Sequence, residues 1–254
     1  MDVAERRPLI AGNWKMYKTV DEAVRTAEEI VRHVCHVKDV DIMIAPPFVS
    51  LVPVAHIVEG TCVELGAQNL SGAAEGAYTG EISAGMLKSA GCKYVIIGHS
   101  ERRQYFGETD GTVNQKINAA IQNHLVPVMC VGETEKEREA KKTFSILDKQ
   151  VRNGLEGLFE DDLKTLVVAY EPVWAIGTGK TASVDQAQEV HAFLRKLLES
   201  IFSAQFSESI RILYGGSVKP ENIQKLVAMP DVDGALVGGA SLSAETFSQI
   251  IRFR

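Results

Sequence analysis

A carboxylate stands at the end of an apolar run in the second half of the chain. Glu171 directly follows the buried-type run 166–170, and Pro172 then ends that run. A carboxylate fixed at a strand end is suited to act as a general base. The apolar patch and the glycines that follow are suited to a lid that excludes water. A surface glutamate in an ordinary strand-to-helix connection is the alternative interpretation.

Two nucleotide-binding patterns occur in the same loop, and neither fits in full. Gly179-Lys180-Thr181 is similar to the end of a phosphate-binding P-loop, but that motif needs a glycine where Trp174 stands. Residues 177–182 fit the looser dinucleotide fingerprint, but that fingerprint should follow its strand at once, and here Pro172, Val173 and Trp174 intervene. We therefore favour neither kind of nucleotide site.

Four other strand ends carry residues that could complete an active site. A histidine could polarise or protonate an oxygen, and a lysine could stabilise developing negative charge. Glycines at such positions can present backbone N–H groups to an anion such as phosphate. Each residue has an ordinary structural explanation alone, but their occurrence on one rim is much harder to explain by coincidence. They are Asn13, Trp14 and Lys15; His99, Ser100, Glu101, Arg102 and Arg103; Gly215, Gly216 and Ser217; and Gly238, Gly239 and Ala240.

Eight short apolar runs, each followed by sequence of helical character, would position these residues. The runs are continuous rather than alternating, as expected for strands buried on both faces of a parallel sheet. We predict an α/β fold in which residues 1–254 form a single domain. It is a (β/α)8 barrel of eight parallel strands with its active site at their C-terminal ends. The predicted strands are 8–12, 42–45, 62–67, 94–98, 125–131, 166–170, 210–214 and 234–237.

The intervening segments predict the helices around this barrel. We expect helices over residues 21–36, 84–90, 112–124 and 135–158, and a less regular one over 48–58 that contains Pro53. Ser183 and Gln186 form a capping box that begins another helix, and Pro220 and Ser243 mark two further starts. One stripe of the helix after Ser183 is apolar, with Glu189, Arg195 and Lys196 elsewhere; the stripe contains Val184, Ala187, His191, Leu194 and Leu198.

Composition excludes several classes of function. The net charge of −6 gives no sign of a nucleic-acid surface, and no apolar run approaches a transmembrane length. The cysteines are scattered, which argues against a disulfide framework and a structural zinc site and favours a reducing compartment. His33, Cys35 and His36 lie close together, but no second cluster completes a metal site. We predict a cytoplasmic protein without metal, nucleic-acid or membrane partners.

Five of these segments together resemble the signatures of triosephosphate isomerases. They are Asn13-Trp14-Lys15 and residues 98–103, 171–181, 214–217 and 236–240, in the right order along essentially the whole chain. The resemblance implies a TIM barrel that interconverts dihydroxyacetone phosphate and glyceraldehyde 3-phosphate through an enediolate. It also implies that the reaction needs no metal and no organic cofactor.

The resemblance further implies a role for each site residue. Glu171 would move the proton, a neutral His99 would donate to the substrate oxygens, and Lys15 would stabilise their charge. Asn13 and Lys15 would also hold the substrate, and Ser100 and Glu101 would be supporting residues. Ser100 would be a partner of Glu171 when the lid is open. The phosphate would be bound chiefly by backbone N–H groups of Gly177, Ser217, Gly238 and Gly239.

The small-residue segment 68–81 resembles the loop through which these enzymes form homodimers. The resemblance implies that Thr79 lies at its tip, near Lys15 of the partner subunit. Residues 71–75 lack the bulky or charged side chains expected there, so their contacts are left open. A flexible loop without a role in dimer formation is the alternative.

Two other functions remain to be weighed against an isomerase. An inactive phosphate-binding barrel of the same ancestry would have no chemical need for all of Lys15, His99 and Glu171. A phosphosugar aldolase would need a Schiff-base lysine inside the barrel, and none of the eight strand runs contains a lysine.

Overall fold

Eight parallel strands close into a barrel in the computed structural model, which describes residues 6–176 and 182–254. Each strand pairs with its neighbours in sequence, and the last pairs with the first. Every predicted strand is confirmed, with its ends within one residue of the prediction. The strands are β1 (Leu9–Asn13), β2 (Asp41–Ala45), β3 (Val63–Ala67), β4 (Tyr94–Ile97), β5 (Val126–Val131), β6 (Val167–Tyr170), β7 (Arg211–Tyr214) and β8 (Gly234–Val237).

Helices follow the strands and surround the barrel. Within residues 6–176 and 182–254, three short 3₁₀ helices lie among them: Phe48–Ser50, Val173–Ala175 and Gly239–Leu242. In the described part of the chain, no helix is long and apolar enough to cross a membrane. The α-helices are α1 (Val20–Val34), α2 (Leu51–Val58), α3 (Ala84–Ser89), α4 (Ser100–Phe106), α5 (Asp110–Gln122), α6 (Glu135–Glu139), α7 (Thr143–Gly154), α8 (Val184–Ile201), α9 (Ala204–Ser209), α10 (Pro220–Val227) and α11 (Ala244–Ile251).

The apolar core has two layers, which explains why the strand sequences do not alternate. Leu9 and Ala11 of β1 belong to a cluster inside the barrel, whereas Ile10 between them packs outward against the helices. Successive strand residues point to opposite faces, and both faces are buried here. A continuous apolar run is the result.

The predicted long helix over residues 135–158 is wrong, because two helices occupy this segment. Lys141 has a left-handed φ of 57°, and it ends α6. Its N–H donates to Arg138 O, and Lys142 N–H donates to Glu137 O, which is the hydrogen-bond pattern of a Schellman cap. A glycine normally marks such a cap. With lysine at this position, the sequence carries no local signal for the break.

Arg195 also differs from the expected exposed polar face of α8. Its side chain is buried, and its guanidinium contacts Asp231 at 2.8 Å and Asp233 at 2.6 Å. The helical stripe alone could not reveal this burial, because both aspartates come from the segment before β8. Burial of an arginine is tolerable when its charge is paired and hydrogen-bonded.

Pro53 does not prevent a helix over Leu51–Val58, because it is the third residue of α2. The first N–H groups of a helix have no intrahelical acceptor, so the missing proline N–H costs little there. The predicted capping box of α8 is confirmed: Gln186 N donates to Ser183 Oγ at 3.1 Å, and Ser183 N donates to Gln186 Oε1 at 3.0 Å.

Candidate active site

A cavity of about 380 Å³ opens at the C-terminal ends of the strands. Residues that follow β1, β4, β6, β7 and β8 line it, so that segments far apart in sequence meet at one rim. This is the end of a parallel α/β barrel at which loops can build a site. The polar and glycine residues of the lining are Asn13, Lys15, Tyr17, His99, Glu171, Gly215, Gly216, Ser217, Lys219, Gly238 and Gly239.

Glu171 is fixed at the floor of this cavity by its backbone and by two glycines. Its N–H donates to Val131 O at 2.8 Å, which continues the pairing of β5 and β6 by one residue. A Cβ on Gly132 would lie 1.8 Å from Glu171 O, and one on Gly215 would lie 2.9 Å from Glu171 Cγ. Only glycine permits such close approach, so both neighbours are needed to seat this carboxylate.

The Glu171 carboxylate is 2% exposed and accepts hydrogen bonds from the start of α4. Ser100 N donates to Oε2 at 2.8 Å, Ser100 Oγ donates to Oε1 at 3.2 Å, and His99 Nε2 lies 2.9 Å from Oε1. Burial by itself raises the pKa of Glu171, but His99 and the two Ser100 donors outweigh it and lower the pKa. The group is therefore held as a carboxylate.

His99 is the N-cap residue of α4, and this position determines its tautomer. Its Nδ1 accepts from Glu101 N at 3.2 Å, so the ring proton is on Nε2, which faces Glu171. Burial lowers the pKa of His99, but the carboxylates of Glu171 and Glu101 offset that effect and raise it above its usual value. The largest of these charge effects comes from Glu171.

Lys15 has a left-handed backbone, with φ of 52°, that side-chain hydrogen bonds support. Lys15 N donates to Asn13 Oδ1 at 3.0 Å, and Gln68 Nε2 donates to Lys15 O at 2.7 Å. The ammonium Nζ contacts Glu101 Oε1 at 2.6 Å. A strained residue that side chains from two other segments hold in place is a candidate functional residue.

The glycines that follow β8, Gly238 and Gly239, form a wall of the cavity that can bind an anion. The 3₁₀ helix Gly239–Leu242 begins there, and the N–H groups of a helix start have no intrahelical acceptor. A Cβ on Gly238 would lie 3.7 Å from Lys15 Nζ, so the lysine cation is close to this wall. Ser217 lines the same cavity, whereas Gly177, the other predicted phosphate residue, lies outside the described residues. Within the described ranges, no group of His, Cys, Asp or Glu side chains could hold a metal ion.

Glu133, which follows β5, is part of the site's surroundings and was missed in the sequence. It is fully buried, and its Oε1 accepts from Tyr170 Oη at 3.1 Å and Trp174 Nε1 at 3.0 Å. Arg138 Nη1 lies 3.0 Å from the same oxygen. Glu133 thus ties the first turn of the segment after Glu171 to β5.

Gln68, which follows β3, was predicted only as part of the long loop. Its Nε2 donates to Ala45 O at 2.9 Å in addition to Lys15 O. A charged residue after strand 5 and an amide after strand 3 are the signals that could have identified Glu133 and Gln68.

The segment 68–81 projects from the same rim. Ser71 N donates to Ile82 O at 2.8 Å and closes its base, and the residues from 74 to 81 are exposed. Thr79 is among these exposed residues, away from the cavity lining of its own chain. Its place at the tip of the loop, near Lys15 of the partner subunit, stays a prediction.

Known proteins are similar to this chain over almost its full length. A family model described as triosephosphate isomerase matches residues 8–254. The triosephosphate isomerases of Trichlorobacter lovleyi and Geobacter metallireducens are each 56% identical over 249 residues, which cover 98% of this chain and 99% of theirs. The crystal structure of triosephosphate isomerase from Bartonella henselae superposes with a TM-score of 0.88 at 40% identity, covering 97% of this chain and 98% of that one.

Proposed function

The chain belongs to the triosephosphate isomerase family and is an isomerase of triose phosphates, and we propose that Glu171 is the base of its reaction. The enzyme interconverts dihydroxyacetone phosphate and glyceraldehyde 3-phosphate. The two relatives reported above are named as isomerases, so nothing supports an inactive barrel. The observation that carries the assignment of the base is the contact of Glu171 with His99 and Ser100 beside a cavity with an anion-receptive wall.

Glu171 transfers a proton between the two adjacent carbons of the substrate. Its burial supports this role, because a carboxylate that loses its hydrogen-bond donors in a dry site becomes a stronger base. Ser100 and His99 are the donors it must give up. Movement of Glu171 away from Ser100 and towards the substrate therefore raises its pKa at the moment when it accepts the proton.

His99 donates from Nε2 to the substrate oxygens as negative charge develops on them. The hydrogen bond from Glu101 N to Nδ1 supports a neutral imidazole in this role, since Nδ1 has no proton in that arrangement. When substrate comes between His99 and Glu171, the main cause that raises the pKa of His99 is removed. Burial and the Lys15 cation then favour the neutral form.

Lys15 stabilises the same developing charge and attracts the phosphate. Its side chain is 21% exposed at the edge of the cavity, and Glu101 compensates its charge in the absence of substrate. Asn13 supports the backbone conformation of Lys15 and also contacts substrate. The phosphate is bound by N–H groups of Ser217, Gly238 and Gly239, and by Gly177, whose structure is not described.

The segment after Glu171 acts as the lid over the enediolate. Its first part, the 3₁₀ helix Val173–Ala175, carries Trp174, whose indole donates to Glu133. An enediolate phosphate exposed to water can lose its phosphate, so exclusion of water protects the intermediate. When the lid opens or closes, Trp174 would exchange its hydrogen bond with Glu133 for a different contact.

The enzyme assembles as a homodimer through the loops of β1, β2 and β3. Large apolar side chains are exposed in these neighbouring segments, and Met16, beside Lys15, is 93% exposed. Such a concentration of exposed apolar side chains favours an interface. The loop 68–81 of one subunit, with Thr79, would then pack near Lys15 of the partner subunit. The exposed apolar residues are Met16, Tyr17, Phe48, Val49, Tyr78 and Met86.

The four cysteines support a cytoplasmic location. All of them are free thiols, and two are buried and therefore inaccessible for disulfide formation. Proteins of oxidising compartments commonly have their cysteines in disulfides.

The reaction is tested with the purified protein in a coupled isomerase assay with EDTA and no added metal. We expect rapid turnover of glyceraldehyde 3-phosphate that EDTA does not change. Correctly folded protein without turnover would contradict the proposed chemistry.

A further inference from the structure

Two cysteines lie in neighbouring segments at the end of the barrel opposite the active site. Cys35 caps the C-terminus of α1, and Cys62 immediately precedes β3. Helix α1 runs back from the C-terminal end of β1, so its last turn lies near the N-terminal ends of the strands, where β3 begins. This end of a parallel barrel contributes to stability rather than to the reaction.

The sulfur of Cys62 lies against the backbone that joins Val34 to Cys35. Cys62 Sγ donates to Val34 O at 3.3 Å. In a planar trans peptide this oxygen is about 3 Å from the Cα of the next residue, so Cys62 Sγ is within about 6 Å of Cys35 Cα. This bound places the Cys62 thiol beside Cys35, and a bridge between them requires Cα atoms about 4.4–6.8 Å apart.

The sulfur of Cys35 is held by a weak hydrogen bond within its own helix end. Cys35 Sγ points back along α1, where it donates weakly to Arg32 O at 3.6 Å. Cys35 is exposed at a helix end, whereas Cys62 is half-buried against the core. Rotation about the Cα–Cβ bond of Cys35 therefore breaks one weak hydrogen bond and moves no strand.

The two thiols also differ in how readily they react. Burial raises the pKa of Cys62, and a charge on Cys35 raises it further, so the two groups interact. Cys92 and Cys130 are buried, and burial raises the pKa of Cys92 to about 12. Cys35 is thus the accessible thiol for a first reaction, and Cys62 is its neighbour for a second.

We propose that Cys35 and Cys62 form a reversible disulfide in the presence of a small oxidised disulfide such as oxidised glutathione. The Cys35 thiolate attacks one sulfur of glutathione disulfide, forms a mixed disulfide and releases one glutathione thiolate. The Cys62 thiolate then attacks Cys35 Sγ, forms the internal bond and releases the second glutathione. Each cysteine loses its proton to solvent, and glutathione disulfide is reduced by two electrons.

The bridge adjusts stability and leaves turnover unchanged. It closes residues 35–62 into a loop that contains β2 and α2, and a cross-link of this span restricts the unfolded chain. We expect the oxidised protein to unfold at a temperature roughly 5–10 °C above that of the reduced protein. The active site lies at the other end of the strands, so kcat and KM should be the same in both forms.

The test uses the full-length protein incubated with mixtures of reduced and oxidised glutathione, then alkylated under denaturing conditions. Trypsin separates the two sites, because residues 33–38 and 39–88 form peptides that contain one cysteine each. We expect the parent protein to lose two of its four thiols and to yield a single cross-linked pair of these peptides. Reduced glutathione should reverse the change.

Two variants make the outcome decisive. Cys62→Ser should stop at the first step and retain one glutathionyl group on Cys35, whereas Cys35→Ser should keep all its remaining thiols. Neither variant should gain thermal stability on oxidation. If the parent protein also accumulates only the mixed disulfide on Cys35, or gains no internal bridge at any ratio of glutathione, the proposal is wrong.

Discussion

The Nε2 of His99 lies 2.9 Å from Oε1 of Glu171, so the proposed acid and base of the reaction restrain each other. The contact raises the pKa of His99 and lowers that of Glu171, and each group thereby becomes less suited to its task. Substrate binding must separate the pair. The reactivity of both groups therefore depends on the same event.

Glu171→Gln should keep the shape of the side chain and remove the proton acceptor. We expect turnover to fall by more than about a hundredfold with little change in the unfolding temperature. Steady-state kinetics of the purified variant measure this. Glu199→Gln makes the same change on the exposed face of α8 and should leave turnover unaltered. Near-normal activity of the folded Glu171 variant would refute its role as the base.

The pKa of His99 should fall when glycerol 3-phosphate, which lacks the reactive carbonyl, binds in the cavity. The raised pKa depends chiefly on Glu171, and a ligand between the two residues removes this partner while burial remains. NMR titration of the ring nitrogens with and without the ligand measures the shift. A ring that is charged at neutral pH in the complex would contradict the proposed donor role.

Lys15→Met should retain much of the side chain's length and remove its charge. We expect KM to rise by about tenfold or more and kcat to fall as well, because the cation faces both the phosphate and the developing oxyanion. Lys196→Met, which removes an exposed lysine of α8 away from the cavity, is the control. A decrease in kcat with unchanged KM would limit Lys15 to the reaction step and exclude it from phosphate binding.

Shortening the loop 68–81 should give a monomer that keeps the barrel and loses most activity. Its residues from 74 to 81 are exposed in the isolated chain, whereas Gln68 at its base supports Lys15 and must be retained. Sedimentation analysis and circular dichroism measure assembly and fold. Sedimentation of the parent protein as a monomer at micromolar concentration would disprove the dimer.

Because of His191, the free energy of unfolding should decrease as the pH falls from about 6.5 to 4. Burial lowers its pKa from 6.5 to about 4, so the unfolded chain takes up a proton that the folded protein does not bind. The contribution of neutral His191 to the free energy of unfolding is fully present above pH 6.5. It is lost as the pH falls towards 4, by up to roughly 3 kcal/mol. Urea unfolding across this range measures the slope. His191→Gln should flatten it, whereas replacement of the exposed His36 by Gln should not; equal slopes in all three proteins would exclude His191 as the cause.

The sequence by itself determined the eight strands, because local runs of apolar residues buried on both faces need no knowledge of distant partners. It also determined which residues end those strands, from Asn13 through His99 to Glu171. The family motifs then predict a role for each of them. The capping signals at Ser183 and Ser243 were equally local, since each side chain bonds a backbone group three residues ahead.

Only the tertiary structure decided what these side chains contact. Glu133 and Arg195 resemble surface residues in sequence, and their burial depends on partners such as Tyr170 and Asp233 that lie tens of residues away. The break at Lys141 likewise depends on a left-handed residue that has no glycine to mark it. The spacing of apolar residues along the sequence indicates which face of a helix or strand is apolar. The charges and hydrogen-bond donors that complete a site come from closure of the barrel, which brings distant strand ends within a few ångströms.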